Sequence, residues 1–548
     1  MAARRLRDDT RRVMLTGRHH HTLCSIATAA LVALTGAAIG AVPAGAAPRA
    51  NIDDGVVRGA AVPGGYAFRG LPYAAAPVER LRWRAPRPPA AWRGVRDATE
   101  FAPSCPQAPS PSEPPGPQSE DCLYLNVSTP TLSRHAGRPV LVWIHGGGLT
   151  QDGARNYDGS QLAADGAVVV TINYRLGALG FLAHPALAPR PGGPAGNYGL
   201  MDQRAALLWV RRNIARFGGD PDNVTIAGQS AGGLSVLAHL VSRGSRGLFQ
   251  RAIVQSGAFA LTQQPLADAE AAGEAFAAKA GCPDQTARCL RRLPVAALVS
   301  NLPGAAIPGV IDGKVLTDSI GTALSAGRFA RVPILNGINH DEELICTDGL
   351  GLAVSDGRFV PVPEPPSPAS YQRDIAAVLG TSAERAAAIA AEYPLDAFAS
   401  PDVAFSILVS DANFACPALQ VDRWTSTRVP TFAYQFDDDK APQRFAKPGR
   451  LPALATHSAE LQYLFDQPNA PVPGTLTADQ QRLAARMRDA WTSFTAGGDP
   501  STAALRWPSS DGGARVMSLV PPQPRLDTQF ASTHHCAFWA DGAGRQSH

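Results

Sequence analysis

The chain has 548 residues, 45% hydrophobic and 18% charged, which excludes a disordered polymer and supplies apolar side chains for a large core. Its formal net charge of +4 resides in residues 1–46, where six arginines accompany two aspartates. The remainder sums to zero and carries no basic excess to recruit nucleic acid or an anionic membrane. No period of 20–50 residues recurs, so a repeat architecture is not expected.

The first element is a targeting segment. Its arginines lead into an uncharged run rich in Ala, Leu and Val at 25–42, and Pro43-Ala44-Gly45-Ala46 closes it with an A-x-A pattern placing cleavage after Ala46. Thr10-Arg11-Arg12-Val13-Met14-Leu15 fits a twin-arginine signal as well as it fits an ordinary secretory leader. The uncharged run reaches the lower limit of a membrane span, but its Ala and Gly content favours a cleaved leader over an anchor. The expectation is a signal peptide at 1–46, one domain at 47–548, and a secreted protein without stable membrane insertion.

Residues 103–120, dense in Pro and Ser, read as an irregular surface loop. Two short apolar runs bounded by Gly or polar residues follow, at 140–144 and 168–172, and their branched side chains read as buried strands. Between 200 and 217, Leu200, Leu207, Val210 and Ile214 share one helical face, with Arg212 and Arg216 opposite, until Gly218-Gly219-Asp220-Pro221 stops the helix. The next strand is predicted at 224–227 and the next helix at 234–241. This alternation predicts an α/β fold, a mostly parallel central sheet with helices on both faces. Ala-rich helical patterns and Pro-rich loops at 260–330 and 350–430 read as excursions over that sheet.

Two loops carry candidate chemistry. Gly228-Gln229-Ser230-Ala231-Gly232 sits between a branched strand and a helix. A sharp strand-to-helix turn there lifts the serine hydroxyl clear of its neighbours, and the helix start aims unpaired N–H groups at developing negative charge. His145-Gly146-Gly147-Gly148 directly follows the 140–144 strand, and its consecutive glycines leave backbone N–H groups unobstructed.

Several strings resemble, in order, the type-B carboxylesterase family of the α/β-hydrolase fold, which includes the cholinesterases. They are Glu120-Asp121-Cys122-Leu123-Tyr124-Leu125-Asn126-Val127, the 145–148 glycine loop, Asn173-Tyr174-Arg175-Leu176-Gly177, Gly196-Asn197-Tyr198-Gly199-Leu200-Met201-Asp202-Gln203, Phe217-Gly218-Gly219-Asp220-Pro221-Asp222-Asn223-Val224 and Gly228-Gln229-Ser230-Ala231-Gly232-Gly233. With weaker matches beyond, the resemblance covers essentially everything after the leader. It implies a serine esterase with Ser230 as nucleophile and an oxyanion hole from the N–H groups of Gly147, Gly148 and Ala231.

Ser230 needs a base oriented by a carboxylate, and this fold orders them Ser, acid, His. Chain order alone leaves His340 and His457 as bases. By resemblance, Ala455-Thr456-His457-Ser458-Ala459-Glu460-Leu461 is the base segment, making His457 the base. Asn339-His340-Asp341-Glu342-Glu343 resembles the acid segment, with Glu342 as the acid. Glu343 stands where the family usually has Gly, so Asp341 and Glu343 stay open as alternatives. Ser256 matches a second serine that supports the triad in the family; core packing is an equal reading. No metal-ligand spacing appears, and neither a metal nor a cofactor is expected.

Seven cysteines follow the leader. Resemblance suggests the pairs Cys105–Cys122, Cys282–Cys289 and Cys416–Cys536, leaving Cys346 free; Cys346–Cys416 is the competitor. Cholinesterases hold a tryptophan for choline in the loop matching 105–122, which has no aromatic residue here, so a choline-ester specialist is not expected. Neutral esters of short to medium length are the default substrate. The rival from another class is a non-catalytic recognition module on this fold, and a serine peptidase is the enzymatic rival.

Overall fold

The branched runs at 140–144 and 168–172 form the middle of an eleven-stranded sheet. The computed structural model describes residues 47–540, apart from 110–115, 191, 192, 194, 301–308, 356, 357, 363–365, 446–448, 452 and 453; the leader assigned to 1–46 lies outside the described residues. In chain order the strands are β1 (Ala60–Val62), β2 (Gly65–Pro72), β3 (Tyr124–Thr129), β4 (Arg138–Ile144), β5 (Val168–Ile172), β6 (Gly219–Gln229), β7 (Arg251–Gln255), β8 (Ile334–Asn339), β9 (Thr431–Phe436), β10 (Val516–Leu519) and β11 (Arg525–Asp527). Across the sheet they lie in the order β11-β10-β9-β8-β7-β6-β4-β5-β3-β2-β1. The block from β10 to β5 is parallel throughout. The outer strands pair antiparallel.

The strands read as continuous apolar runs because both faces are covered. Val140, Val142 and Ile144 share one core with Leu207 and Val210 of α1 (Tyr198–Asn213) and Leu234 and Leu237 of α2 (Ala231–Val241). Leu141 and Trp143 point the other way and pack in a second core with Met487, Trp491 and Phe494 of α3 (Ala478–Gly497). Each such side chain contributes roughly 1.5–3 kcal/mol by burial.

Two boundaries differ from the sequence reading. The helix predicted at 200–217 ends as α-helix at Asn213 and tightens into a 3₁₀ turn over Ile214–Phe217, which Gly218 closes in a left-handed conformation at φ 79°. Strand β6 begins at Gly219 rather than 224, because Gly219 already pairs with Arg138 before an irregularity resets the register at Val224. The turn-forming residues Asp220, Pro221 and Asn223 conceal that extension in the sequence.

The structure joins Cys105 to Cys122, Cys282 to Cys289 and Cys416 to Cys536, across sequence separations of 17, 7 and 120, and leaves Cys346 buried and unpaired. The third bridge fastens the last described helix, Cys536–Ala540, to the start of the helix Cys416–Ser426. In the loop-entropy picture it contributes about 4–5 kcal/mol. The double variant Cys416→Ser/Cys536→Ser is expected to unfold at markedly lower denaturant. Alkylation of the unfolded, unreduced wild type is expected to label Cys346 alone among the described cysteines; a labelled Cys416 would contradict the pairing. Among the described residues one helical run, Pro401–Ser426, has the length and hydropathy of a membrane span, and 67% of that window is buried within the fold.

Candidate active site

Ser230 stands at the carboxyl end of β6, where the chain reverses into α2. Its backbone takes φ 56° and ψ −127°, a strained conformation held by the hydrogen bond from its N–H to Gln255 O at 2.8 Å and by the α2 N–H of Leu234 on its carbonyl at 2.9 Å. The turn is possible because α2 approaches the sheet through glycine. A Cβ on Gly232 would lie 2.0 Å from Ile144 O. Ala231, as the first helical residue, has no intrahelical acceptor for its N–H.

The glycine loop leaves the end of the adjacent β4. Gly147 and Gly148 have φ of 83° and 63°, and a Cβ on Gly147 would meet Gln151 O at 2.3 Å. The loop is fixed from behind. Thr150 and Gln151 N–H groups both donate to Gly147 O at 3.0 Å, and Tyr174 OH donates to His145 O at 2.8 Å while its ring stacks on His145. Burial keeps the His145 imidazole below its usual pKa despite the nearby Asp152 carboxylate. The Gly147, Gly148 and Ala231 N–H groups thus belong to two elements that meet at the serine, where a Cβ on Gly146 would lie 3.1 Å from Ser230 Cβ.

Of the three neighbouring carboxylates, the structure turns only Glu342 toward His457. Its Oε2 accepts from His457 Nδ1 at 2.5 Å and its Oε1 from the Asn339 N–H at 2.8 Å. Asp341 is engaged elsewhere, with His340 Nδ1 at 3.0 Å and the Ala455 N–H at 3.2 Å. Glu343 points away and accepts from the Val354 N–H at 3.1 Å; burial raises its carboxyl well above the usual range. His340, the other base allowed by chain order, is bound to Asp341. Burial opposes its charge, but Asp341, with Asp437 and Asp411 beyond, raises its pKa to about 9.

Burial likewise disfavours the His457 imidazolium, yet Glu342, and Glu460 behind it, outweigh burial and raise the pKa above 6.5. With Nδ1–H directed at Glu342, Nε2 is left as the acceptor, the tautomer a general base needs. Nε2 accepts from the Gln229 side-chain amide at 3.2 Å.

Ser256, at φ 50° one residue past β7, is fully buried, and its hydroxyl has no partner among the described residues. It does not join the Ser230, His457 and Glu342 group. Glu460, Asn339 and Gln255, which no local motif singles out, support that group. Glu460, fully buried with its pKa raised by burial, accepts from Gln255 Nε2 at 3.0 Å and Asn339 Nδ2 at 2.8 Å. The only sequence signal was an acidic residue in the apolar run after His457.

On α2, His239 is fully buried between Ser245 and Gln203 at 2.8 and 3.0 Å, and burial lowers its pKa to about 4. The unfolded chain protonates this histidine near pH 6.5 while the folded protein keeps it neutral, so folding stability is lost as pH falls from 6.5 toward 4, by roughly 3 kcal/mol. Denaturant midpoints over that window are expected to drop, and His239→Asn is expected to flatten the fall. An unchanged slope would refute the assignment.

The carboxylesterase family matches residues 46–539. The chain is 35% identical over 508 residues to the rat (Rattus norvegicus) pyrethroid hydrolase Ces2e, covering 86% of each chain. It is 34% identical over 495 residues to the para-nitrobenzyl esterase of Bacillus subtilis, covering 86% of this chain and 94% of that one. Among solved structures, a thermophilic PNB esterase superposes with a TM-score of 0.75 at 30% identity, over 90% of this chain and 100% of its own.

Proposed function

Because the chain belongs to the carboxylesterase family and is a carboxylic ester hydrolase, we propose that it hydrolyses small-molecule esters through an acyl-enzyme on Ser230, with His457 as base and Glu342 as its orienting acid. The observation that carries this reading is the 2.5 Å hydrogen bond from His457 Nδ1 to Glu342, on a histidine whose Nε2 remains an acceptor beside the strained Ser230 turn.

His457 Nε2 takes the hydroxyl proton as Ser230 Oγ bonds to the ester carbonyl carbon. Glu342 stabilises the resulting imidazolium, and the N–H groups of Gly147, Gly148 and Ala231 bind the tetrahedral oxyanion. Losing one such donor typically costs about 3–4 kcal/mol in the transition state. The carbon–alkoxy bond then breaks as the alcohol leaves with the proton from His457. Water, deprotonated by the same histidine, repeats attack and collapse to release the acid and restore Ser230.

The three disulfides fit an extracellular protein. In this reading residues 1–46 direct export and are removed, leaving one domain. The first test is turnover of p-nitrophenyl butyrate by the purified protein, with release of p-nitrophenol expected. Absence of turnover across a chain-length series of esters would favour the non-catalytic module instead.

A further inference from the structure

A cleft opens beside Gly147, the glycine proposed to hold the oxyanion. Its other walls come from the loops on either side of the base: Arg444 and Phe445 before His457, and Leu461, Ala470 and Pro471 after it. A molecule with its ester carbonyl on Gly147 therefore has this space next to it. The apolar part of its lining, Phe445, Leu461, Ala470 and Pro471, suits a short methylene chain, and beside it stand the amides of Gln151, Asn156, Gln467 and Asn469 and one guanidinium.

That guanidinium is incompletely used. Arg444 Nη2 donates to Gln467 O at 2.9 Å and Nη1 to Gly474 O at 3.4 Å, while Nε is buried and has no partner among the described residues. Both partners are neutral carbonyls, and among the described residues no carboxylate pairs with Arg444. The one acid on the cleft wall, Asp152, is committed to the Gly153 N–H at 2.6 Å, Asn156 Nδ2 at 2.7 Å and Tyr157 OH at 2.5 Å. Buried donors in native proteins generally have partners, and a guanidinium fork matches a carboxylate better than any other common group.

We propose that this cleft receives the free carboxylate of an ester substrate, on a short aliphatic chain, with Arg444 as the residue that recognises it. The proposal rests on the esterase reading of Ser230 and narrows it from neutral esters to half-esters of dicarboxylic acids and esters of hydroxy acids. Arg444 holds the far end of the molecule, so it sets specificity without touching the reacting atoms.

The test compares matched pairs of substrates. p-Nitrophenyl hydrogen glutarate against p-nitrophenyl valerate places the charge on the acyl side. 4-Butyryloxybutanoate against pentyl butyrate, followed by acid release, places it on the alcohol side. Arg444→Met is expected to lower the charged-to-neutral ratio of kcat/KM about 10- to 100-fold in one pair, which identifies the side. Arg444→Lys is expected to retain part of the preference. A ratio unchanged in both pairs overturns the proposal.

A binding measurement decides the cleft independently of turnover. Glutarate is titrated calorimetrically into the Ser230→Ala protein and into the Ser230→Ala/Arg444→Met protein. Binding by the first and not the second supports the site; equal binding or none refutes it. Should neutral esters also fail as substrates, the function of Ser230 falls and this titration still stands.

Discussion

Replacing Ser230 with alanine lowers kcat for p-nitrophenyl butyrate by about 10⁶-fold and leaves the fold intact. The substitution removes one oxygen and retains the Cβ that the strained backbone already accommodates, so the melting temperature should stay close to that of the wild type. In the proposed mechanism Ser230 Oγ is the atom that forms the covalent bond. Ser256 is fully buried under the sheet end and does not reach the base. The glycine loop and Ala231 remain in place, so a residual rate of about 10³ over the water reaction is expected from oxyanion stabilisation and binding alone. Near-wild-type turnover by a correctly folded Ser230→Ala protein would show that the ester is cleaved elsewhere.

The second large effect is at Glu342, where the direction of the pH shift is as informative as the loss of rate. Glu342→Gln lowers kcat by about 10⁴-fold. Oε1 of residue 342 accepts the Asn339 N–H. A glutamine there keeps its oxygen on that donor and turns its NH₂ toward His457 Nδ1. The imidazole must then carry its proton on Nε2, which can no longer accept from serine. In the wild type the raised pKa of His457 means that the imidazolium persists to above pH 6.5, so the acid limb of kcat/KM falls above that value. Removing the Glu342 charge leaves burial as the leading influence and moves the residual activity's acid limb to lower pH. Rate–pH profiles of both proteins test this. An unmoved limb would mean that Glu342 does not face the base in solution.

The sequence was most informative where chemistry dictates a local pattern. A serine between glycines after a branched strand, and three glycines after another, are patterns set by steric requirements. The left-handed φ of Gly147 and the 2.0 Å from a Gly232 Cβ to Ile144 O are the distances behind those requirements. The parallel sheet was equally legible, because strands covered on both faces lose the alternation that betrays a solvated side. The start of β6 was not, since Asp220, Pro221 and Asn223 carry turn propensity and only pairing with Arg138 draws Gly219 into the strand.

By itself, then, the sequence determined the strand–helix order and marked the serine turn and the glycine loop as candidate sites, since each depends on residues adjacent in the chain. The tertiary structure decided among Asp341, Glu342 and Glu343. These consecutive side chains leave the end of β8 in different directions, and only the packing of the 455–461 segment determines which one meets His457. It also decided what could not be local. Glu460 draws Gln255 and Asn339 from two different strands into one buried network, and Gln229 occupies the base from the neighbouring strand. Contacts between groups more than a hundred residues apart leave no periodicity or spacing to read, because the sheet, not the chain, makes them neighbours.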